Sequence, residues 1–339
     1  MIDLAIPSPS QGIWYLGPIP IRAYALCILT GIVLTIVLGN KRYRDRGGHG
    51  EVMYDIALWA VPLGIIGGRL YHVAITAGPQ YFGSGADPWE IFRIWNGGLG
   101  IWGGITVGII GVWIGAHQAR IRLAPFLDSL APMVLYAQAI GRLGNWFNQE
   151  LFGKPTTVPW GLRIDDAHLP YGYESGTLFH PTFLYEMVWN LLMATVIVLL
   201  DKRIRFHAGQ ISALYLIVYS TGRLITEQFR IDPSEYVLGL RIHVWVSLFG
   251  LCAGIIIFYI CARMKWPRDV SAQELAATRV STEADKKKKE AKAAANKHSD
   301  IPQECSEADV PQSCVGADDD AKDTVDASTT GQTEPDRAG

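Results

Sequence analysis

The sequence predicts an all-α integral membrane protein, a bundle of about seven transmembrane helices with its N-terminus outside and its C-terminus cytoplasmic. Three observations lead there: seven apolar runs near spanning length, basic loops that alternate along the chain, and a break in composition near residue 270. Of the 339 residues, 49% are hydrophobic, and every Trp and Phe falls at or before Trp266. A helix rises about 1.5 Å per residue, so roughly 20 residues cross about 30 Å of hydrocarbon. Runs of that length lie at 21–40, 54–74, 97–116, 124–144, 181–200, 209–228 and 242–263. One such run could be the core helix of a soluble protein; seven before residue 265 argue against that class.

The loops set the orientation, because cytoplasmic connections collect Lys and Arg. Lys41, Arg42, Arg44 and Arg46 follow the first run, and Arg120 and Arg122 follow the third. Lys202, Arg203 and Arg205 follow the fifth, and Arg263, Lys265 and Arg268 follow the seventh. The opposite loops are sparser, with Arg93, Lys154, Arg163 and Arg230. Residues 1–20 are polar and Pro-rich, and basic residues follow the first run instead of preceding it, so no cleavable signal peptide is expected.

Residues 1–268 are read as a polytopic membrane domain and 269–339 as a disordered, charged cytoplasmic tail. From 270 onward the chain has no aromatic residue and too little apolar surface to offset its ordering entropy. The run Lys286–Lys289 belongs to that solvated tail, and the net charge of −2 merely sums two unlike regions. The five cysteines, Cys27, Cys252, Cys261, Cys305 and Cys314, show neither CxxC nor His/Cys ligand spacing, so no zinc site or disulfide is suggested. No internal repeat is visible, nor the paired broken spans common in transporters.

Charged groups inside a span are costly and usually face a cavity, a partner charge or a ligand. The fourth run ends in GRLGNWFNQELFG (141–153), where Arg142 and Asn145 share a helical face and Asn148 and Glu150 lie just beyond. Gly141 and Gly144 allow close approach of a helix or a ligand. The sixth run holds STGRLITEQFRIDP (220–233), whose Arg223, Glu227 and Arg230 form one stripe. Arg69 and His72 lie near the outer end of the second run, and Arg22 and Tyr24 near the start of the first. Taken singly, these residues read equally well as ion pairs or snorkelling side chains. Together, arginines from four spans, in excess over carboxylate at one depth, point to a phosphate ligand, because a guanidinium can grip two phosphate oxygens. An outer-leaflet phospholipid head group is the natural candidate. The glycines of NGGLGIWGGITVG (96–108) fit tight packing or space for a lipid, and His180 of HPTFLYE (180–186) fits an interfacial cap or a chemical role.

The stretch GRLGNWFNQELFG resembles the signature of the prolipoprotein diacylglyceryl transferase family. IRAY, GGRL, NGGLGIWGG, HPTFLYE and GRLITEQFR occur in the family's order, so the resemblance covers roughly residues 10–265; the tail resembles an actinobacterial extension. It implies a seven-helix enzyme of the bacterial cytoplasmic membrane acting at the outer leaflet. The diacylglyceryl group of phosphatidylglycerol passes to the lipobox cysteine of a preprolipoprotein, forming a thioether and releasing glycerol phosphate. No metal, organic cofactor or nucleic-acid partner is expected. By motif match, Tyr24, Arg142, Asn145, Glu150, Gly153, Arg223, Glu227 and Arg230 are functional positions, with Arg69, His72 and Asn148 as further lipid contacts.

One position departs from the pattern. Many members carry a histidine in the glycine-rich opening of the third span; here it is Trp102, which cannot take a thiol proton. His72 or Glu227 would then be the base, or no single histidine base is needed. The expected mechanism has Arg142 and Arg223 hold the phosphate and stabilise the leaving group, with Glu150 and Glu227 orienting them. The same positive field favours the cysteine thiolate. The rival reading, a transporter or flippase for an anionic lipid or solute, calls for polar residues across the full depth of the membrane.

Overall fold

A computed structural model describes residues 4–17, 19–83, 87–94 and 97–271, together with 287, 290 and 291. Beyond 271 the expected tail otherwise lies outside the described residues, as do Asn96, Cys305, Cys314 and all of the Lys286–Lys289 run except Lys287. The architecture below is that of the unit Met1–Lys288.

The chain is mostly helical. Seven long helices coincide with the seven apolar runs: α1 (Ala23–Asp45), α2 (Glu51–Tyr71), α4 (Ile101–Gln118), α5 (Leu123–Phe147), α6 (Thr182–Arg203), α7 (Gln210–Glu227) and α8 (Ile242–Met264). A short α3 (Gly78–Phe82) follows a π-helical turn at His72–Thr76. Five of the seven, α1, α2, α5, α6 and α8, are long and apolar enough to cross a membrane. The other two are 18 residues each; α4 finishes on His117 and Gln118, and α7 carries Gln210, Arg223 and Glu227. Large apolar side chains such as Leu58 and Phe249 stand exposed on α2 and α8, as lipid-facing surfaces require.

The helices pack mainly as pairs, α2 with α4, α1 with α5 and α7 with α8, while α5 also touches α6 and α7. Glycine explains the first pair. A Cβ at Gly111 would lie 2.7 Å from the Trp59 carbonyl oxygen, one at Gly115 would lie 2.9 Å from the Ile56 Cα, and one at Gly103 would overlap the Gly67 carbonyl. The glycines of the third apolar run therefore serve backbone-to-backbone packing.

Short strands occupy the loops. β1 (Ile6–Pro7) pairs parallel with β4 (Leu162–Arg163), which pairs antiparallel with β5 (Leu178–Phe179). β2 (Ile13–Leu16) and β3 (Ile19–Arg22) form a hairpin that runs straight into α1. A second hairpin, β6 (Tyr236–Val237) with β7 (Leu240–Arg241), leads into α8. Its two-residue turn, Leu238 and Gly239, has both φ angles positive (50° and 80°), the primed geometry that matches strand twist. Phe152, Leu162, Ile164, Phe179 and Phe183 form a small core that binds the sheet to the start of α6.

At the ends of the helices opposite the signature stretch, a buried ionic tie holds the bundle. Asp201 of α6 pairs with Arg42 (2.9 Å) of α1, with Arg46 (3.1 Å) just past its end and with Arg268 (3.1 Å) beyond α8. Asp128 of α5 accepts hydrogen bonds from the Gly209 and Ser212 amides and the Ser212 hydroxyl, closing the start of α7. The segment after α8 is strapped across this end: the Val270 amide donates to the Arg46 carbonyl, and Arg122 donates to the Pro267 and Asp269 carbonyls. These contacts involve residues 267–270, at and just past the expected boundary at 268.

Asp201→Ala would leave three guanidiniums without their shared carboxylate. A loss of roughly 3 kcal/mol is expected, as for other broken buried pairs, read as a lower thermal midpoint of the full chain in detergent; an unchanged midpoint would remove the tie from the stability account.

Candidate functional site

The site is built around Glu186, one turn into α6 and only 6% exposed. Its helix begins at HPT: Pro181 precedes the first turn, and the buried Thr182 hydroxyl donates to the Leu151 carbonyl. The carboxylate so fixed receives Arg142 from α5, Arg223 from α7 (3.3 Å) and Arg230 from the following loop (3.7 Å). Trp189, Tyr219 and Gly222 line the crevice between Glu186 and Arg223.

A second carboxylate extends the network. Glu227 is 3% exposed and lies 2.8 Å from Arg223 and 2.9 Å from Arg241, with His243 of α8 at 3.8 Å. Neither of its oxygens has an aligned hydrogen bond despite these short ion pairs, so charge rather than hydrogen-bond geometry holds it. Asp232 completes the set, 2.6 Å from Arg230 and 3.2 Å from Arg241. Burial alone would raise the Asp232 carboxyl. The hydrogen bond from Arg230 and the charges of Arg230 and Arg241 outweigh it and hold the carboxyl below the usual carboxylate range.

The signature stretch supplies the third part. Gln149 and Leu151 have φ of 52° and 58°, and this left-handed pair reverses the chain around Glu150. The Glu150 carboxylate then accepts from Asn145 (2.8 Å) and Asn148 (3.2 Å), while Asn145 Oδ1 accepts from Arg142 (3.3 Å). Glu150 thus reaches Arg142 through Asn145, because the turn between residues 145 and 150 sets its carboxylate beside the asparagine. Gly153 is a backbone junction: its amide donates to the His180 carbonyl, it bridges to Arg230, and a Cβ there would lie 2.8 Å from the His180 Cβ. His180 belongs to the same joint, with Nδ1 3.1 Å from the Tyr185 hydroxyl.

The remaining sequence candidates lie in different surroundings. Tyr24 packs its ring on Gly144, where a Cβ would come within 2.5 Å, and it senses the charges of Glu150 and Arg142. Arg69 is buried and donates to four carbonyls, those of Glu90, Ile91, Gly97 and Gly98, pinning the loop before α4. His72 sits against Gly98 and the edge of Tyr81. No hydrogen bond or ion pair among the described residues joins Arg69 or His72 to the cluster. Arg22 is exposed at the start of α1, and Trp102 is exposed in the first turn of α4.

The four arginines that meet are therefore Arg142, Arg223, Arg230 and Arg241, matched by Glu150, Glu186, Glu227 and Asp232. The expected excess of arginine over carboxylate is not what the structure holds. Glu186, Asp232 and Arg241 supply the difference; the first was visible in HPTFLYE, but spacing along one helix cannot reveal which partner another helix brings. Arg142 Nε is buried without a hydrogen-bond partner, so donor capacity remains in the cluster. Beside Arg142, Gly141 has nothing within 4 Å of an added Cβ and opens on an apolar groove of about 430 Å³. The groove runs between α1, α2 and α5 as far as Phe126, about 22 Å along α5. Its lining is apolar apart from Thr35 and Gln138. No cluster of His, Cys, Asp and Glu suited to a metal occurs among the described residues.

Comparison with known proteins bears on this arrangement. The family model for prolipoprotein diacylglyceryl transferase matches residues 11–260. A phosphatidylglycerol–prolipoprotein diacylglyceryl transferase of Frankia alni is 48% identical over 275 residues, 81% of this chain and 72% of its own length. A second protein of that name from Streptomyces coelicolor is 51% identical over 248 residues, 73% of this chain and 78% of its own. One from Paenarthrobacter aurescens is 48% identical over 280 residues, 80% and 87% respectively.

The depressed Asp232 carboxyl gives a signed pH dependence. Its ion pairs stabilise the fold fully above the unfolded carboxylate range, near pH 4, and this contribution is lost as pH falls below that range. Asp232→Asn is expected to lower the thermal midpoint by a few degrees at pH 7, with the difference from wild type closing as the pH is taken below about 4. A difference that stays constant with pH would show that Asp232 acts without its charge.

Proposed function

We propose that this chain, which belongs to the prolipoprotein diacylglyceryl transferase family, grips the phosphate of phosphatidylglycerol with the arginines gathered around Glu186. Its activity is that of the family: it is a transferase that moves the diacylglyceryl group of phosphatidylglycerol onto a prolipoprotein. The acceptor is the lipobox cysteine thiol, and a thioether forms as glycerol phosphate leaves. All seven long helices span the bacterial cytoplasmic membrane, with the N-terminus outside, the C-terminus and the tail from 269 cytoplasmic, and the site toward the outer leaflet.

The observation that carries this reading is the junction at Gly141 and Arg142, where an arginine cluster meets the end of an apolar groove. A phospholipid has the same division, a phosphate joined to acyl chains, and 22 Å of groove exceeds the depth of one leaflet, about 15 Å. Arg142 and Arg223 are placed to bind the phosphate oxygens and stabilise the charge that grows on glycerol phosphate as it leaves. Glu186 and Glu227 hold the two guanidiniums apart and aimed, and Glu150 does so through Asn145. Tyr24 lies against Gly144 and Asn148 donates to Glu150, while Gly153 and Arg230 join the neighbouring loops. For Arg69 and His72 a supporting role fits better, shaping the loop before α4. The transporter reading is not favoured: the charged groups gather at the two ends of the bundle, and the groove between them offers no polar path.

The direct test incubates the purified full-length chain with phosphatidylglycerol and a lipobox peptide and follows diacylglyceryl-cysteine by mass spectrometry. Wild type should form the thioether. Arg223→Ala and Arg142→Gln should each slow it by about 10²-fold or more, the usual cost of removing one preorganised donor from a developing charge. Normal turnover by Arg223→Ala would rule out its role at the phosphate.

A further inference from the structure

The transfer needs an acceptor for the thiol proton, and Trp102 provides none. His72 is engaged with Gly98 and Tyr81, away from the arginine cluster. Among the described residues, the histidine within ion-pair range of a cluster carboxylate is His243, in the first turn of α8. The β6–β7 hairpin delivers it there, turning at Leu238 and Gly239 so that Arg241 and His243 both come back to Glu227.

Its surroundings suit a base. His243 Nδ1 is 3.2 Å from the Ser234 hydroxyl and 3.8 Å from Glu227 Oε1. Glu227 is buried and short of aligned donors. A carboxylate beside one ring nitrogen favours the tautomer protonated there and leaves the other nitrogen as an acceptor. The side chain is 34% exposed, so the ring is not sealed within the cluster. The charged groups around the ring are Glu227 and Arg223 of α7, Arg230 and Asp232 of the connecting loop, and Arg241 of β7.

We propose that His243 is the general base of this chain: its Nε2 takes the proton of the incoming cysteine thiol, with Glu227 and Ser234 holding the ring. The inference rests on the transferase reading above. As sulfur bonds to the glyceryl carbon, the bond from that carbon to the phosphate oxygen breaks and its electron pair leaves on glycerol phosphate. The thiol proton stays on Nε2 until it passes to water. Sequence alone does not reveal this, because His243 lies 141 residues from the position where the family pattern puts its histidine (243 minus 102).

The test compares wild type, His243→Ala and His243→Gln in the full chain, with phosphatidylglycerol, a lipobox peptide and thioether formation followed from pH 5 to 8. His243→Ala should lower kcat by about 10²-fold or more, leave the KM for phosphatidylglycerol unchanged, lose the acidic limb of the pH profile and regain activity with added imidazole. His243→Gln keeps a hydrogen-bonding side chain but cannot take the proton, and should stay as slow as the alanine variant. Restored turnover in His243→Gln, or an acidic limb that persists in either variant, would make the residue structural and overturn the proposal. A wild-type chain that forms no thioether would instead refute the transferase reading, so the two failures are distinguishable.

Discussion

One carboxylate, Glu186, sets the geometry on which the site depends. Guanidiniums crowded within a few ångströms repel one another strongly where water is scarce, and nothing in two separate helices and a loop obliges them to share a depth. Glu186 supplies the reason, taking Arg142, Arg223 and Arg230 on one buried side chain. Its position is set in turn by the Thr182 bond to Leu151 and by the left-handed turn around Glu150. The signature stretch is thus as much a device for seating α6 as a source of ligands. Losing Glu186 would leave three buried cations without their common partner, a costly state.

The same solution recurs at the other end of the bundle, where Asp201 collects Arg42, Arg46 and Arg268. The two ties differ in what surrounds them. Asp201 is closed over by the strap after α8, whereas the Glu186 cluster adjoins the Gly141 end of an apolar groove. A buried ion pair by itself says little about function. Arginines beside a lipid-shaped space say considerably more.

Much of the fold was legible in the sequence, because the length and apolarity of a spanning helix leave a strong signal and all seven runs became helices. The site was only partly so. The pairing of Arg223 with Glu227 and of Arg142 with Asn145 was readable along single helices, whereas Arg230, expected on the Arg223–Glu227 stripe, lies in the loop beyond α7. The role of Glu186, the return of Arg241 through a hairpin and the balance of charge were not, since each depends on contacts between elements. Arg69 is the converse case: an arginine near the end of a span suggested a phosphate, and the structure gives it four backbone carbonyls, partners that leave no trace in residue type.

The central claim is that the arginines around Glu186 are the phosphate site and the adjoining groove the place of an acyl chain. A structure of the full chain in nanodiscs containing phosphatidylglycerol tests it most directly. The lipid phosphate is expected within about 3 Å of Arg142 and Arg223, with one chain lying along α1 and α5 from Gly141 toward Phe126. Phosphate density at Arg22 or Arg69, with the Glu186 cluster unoccupied, would contradict it.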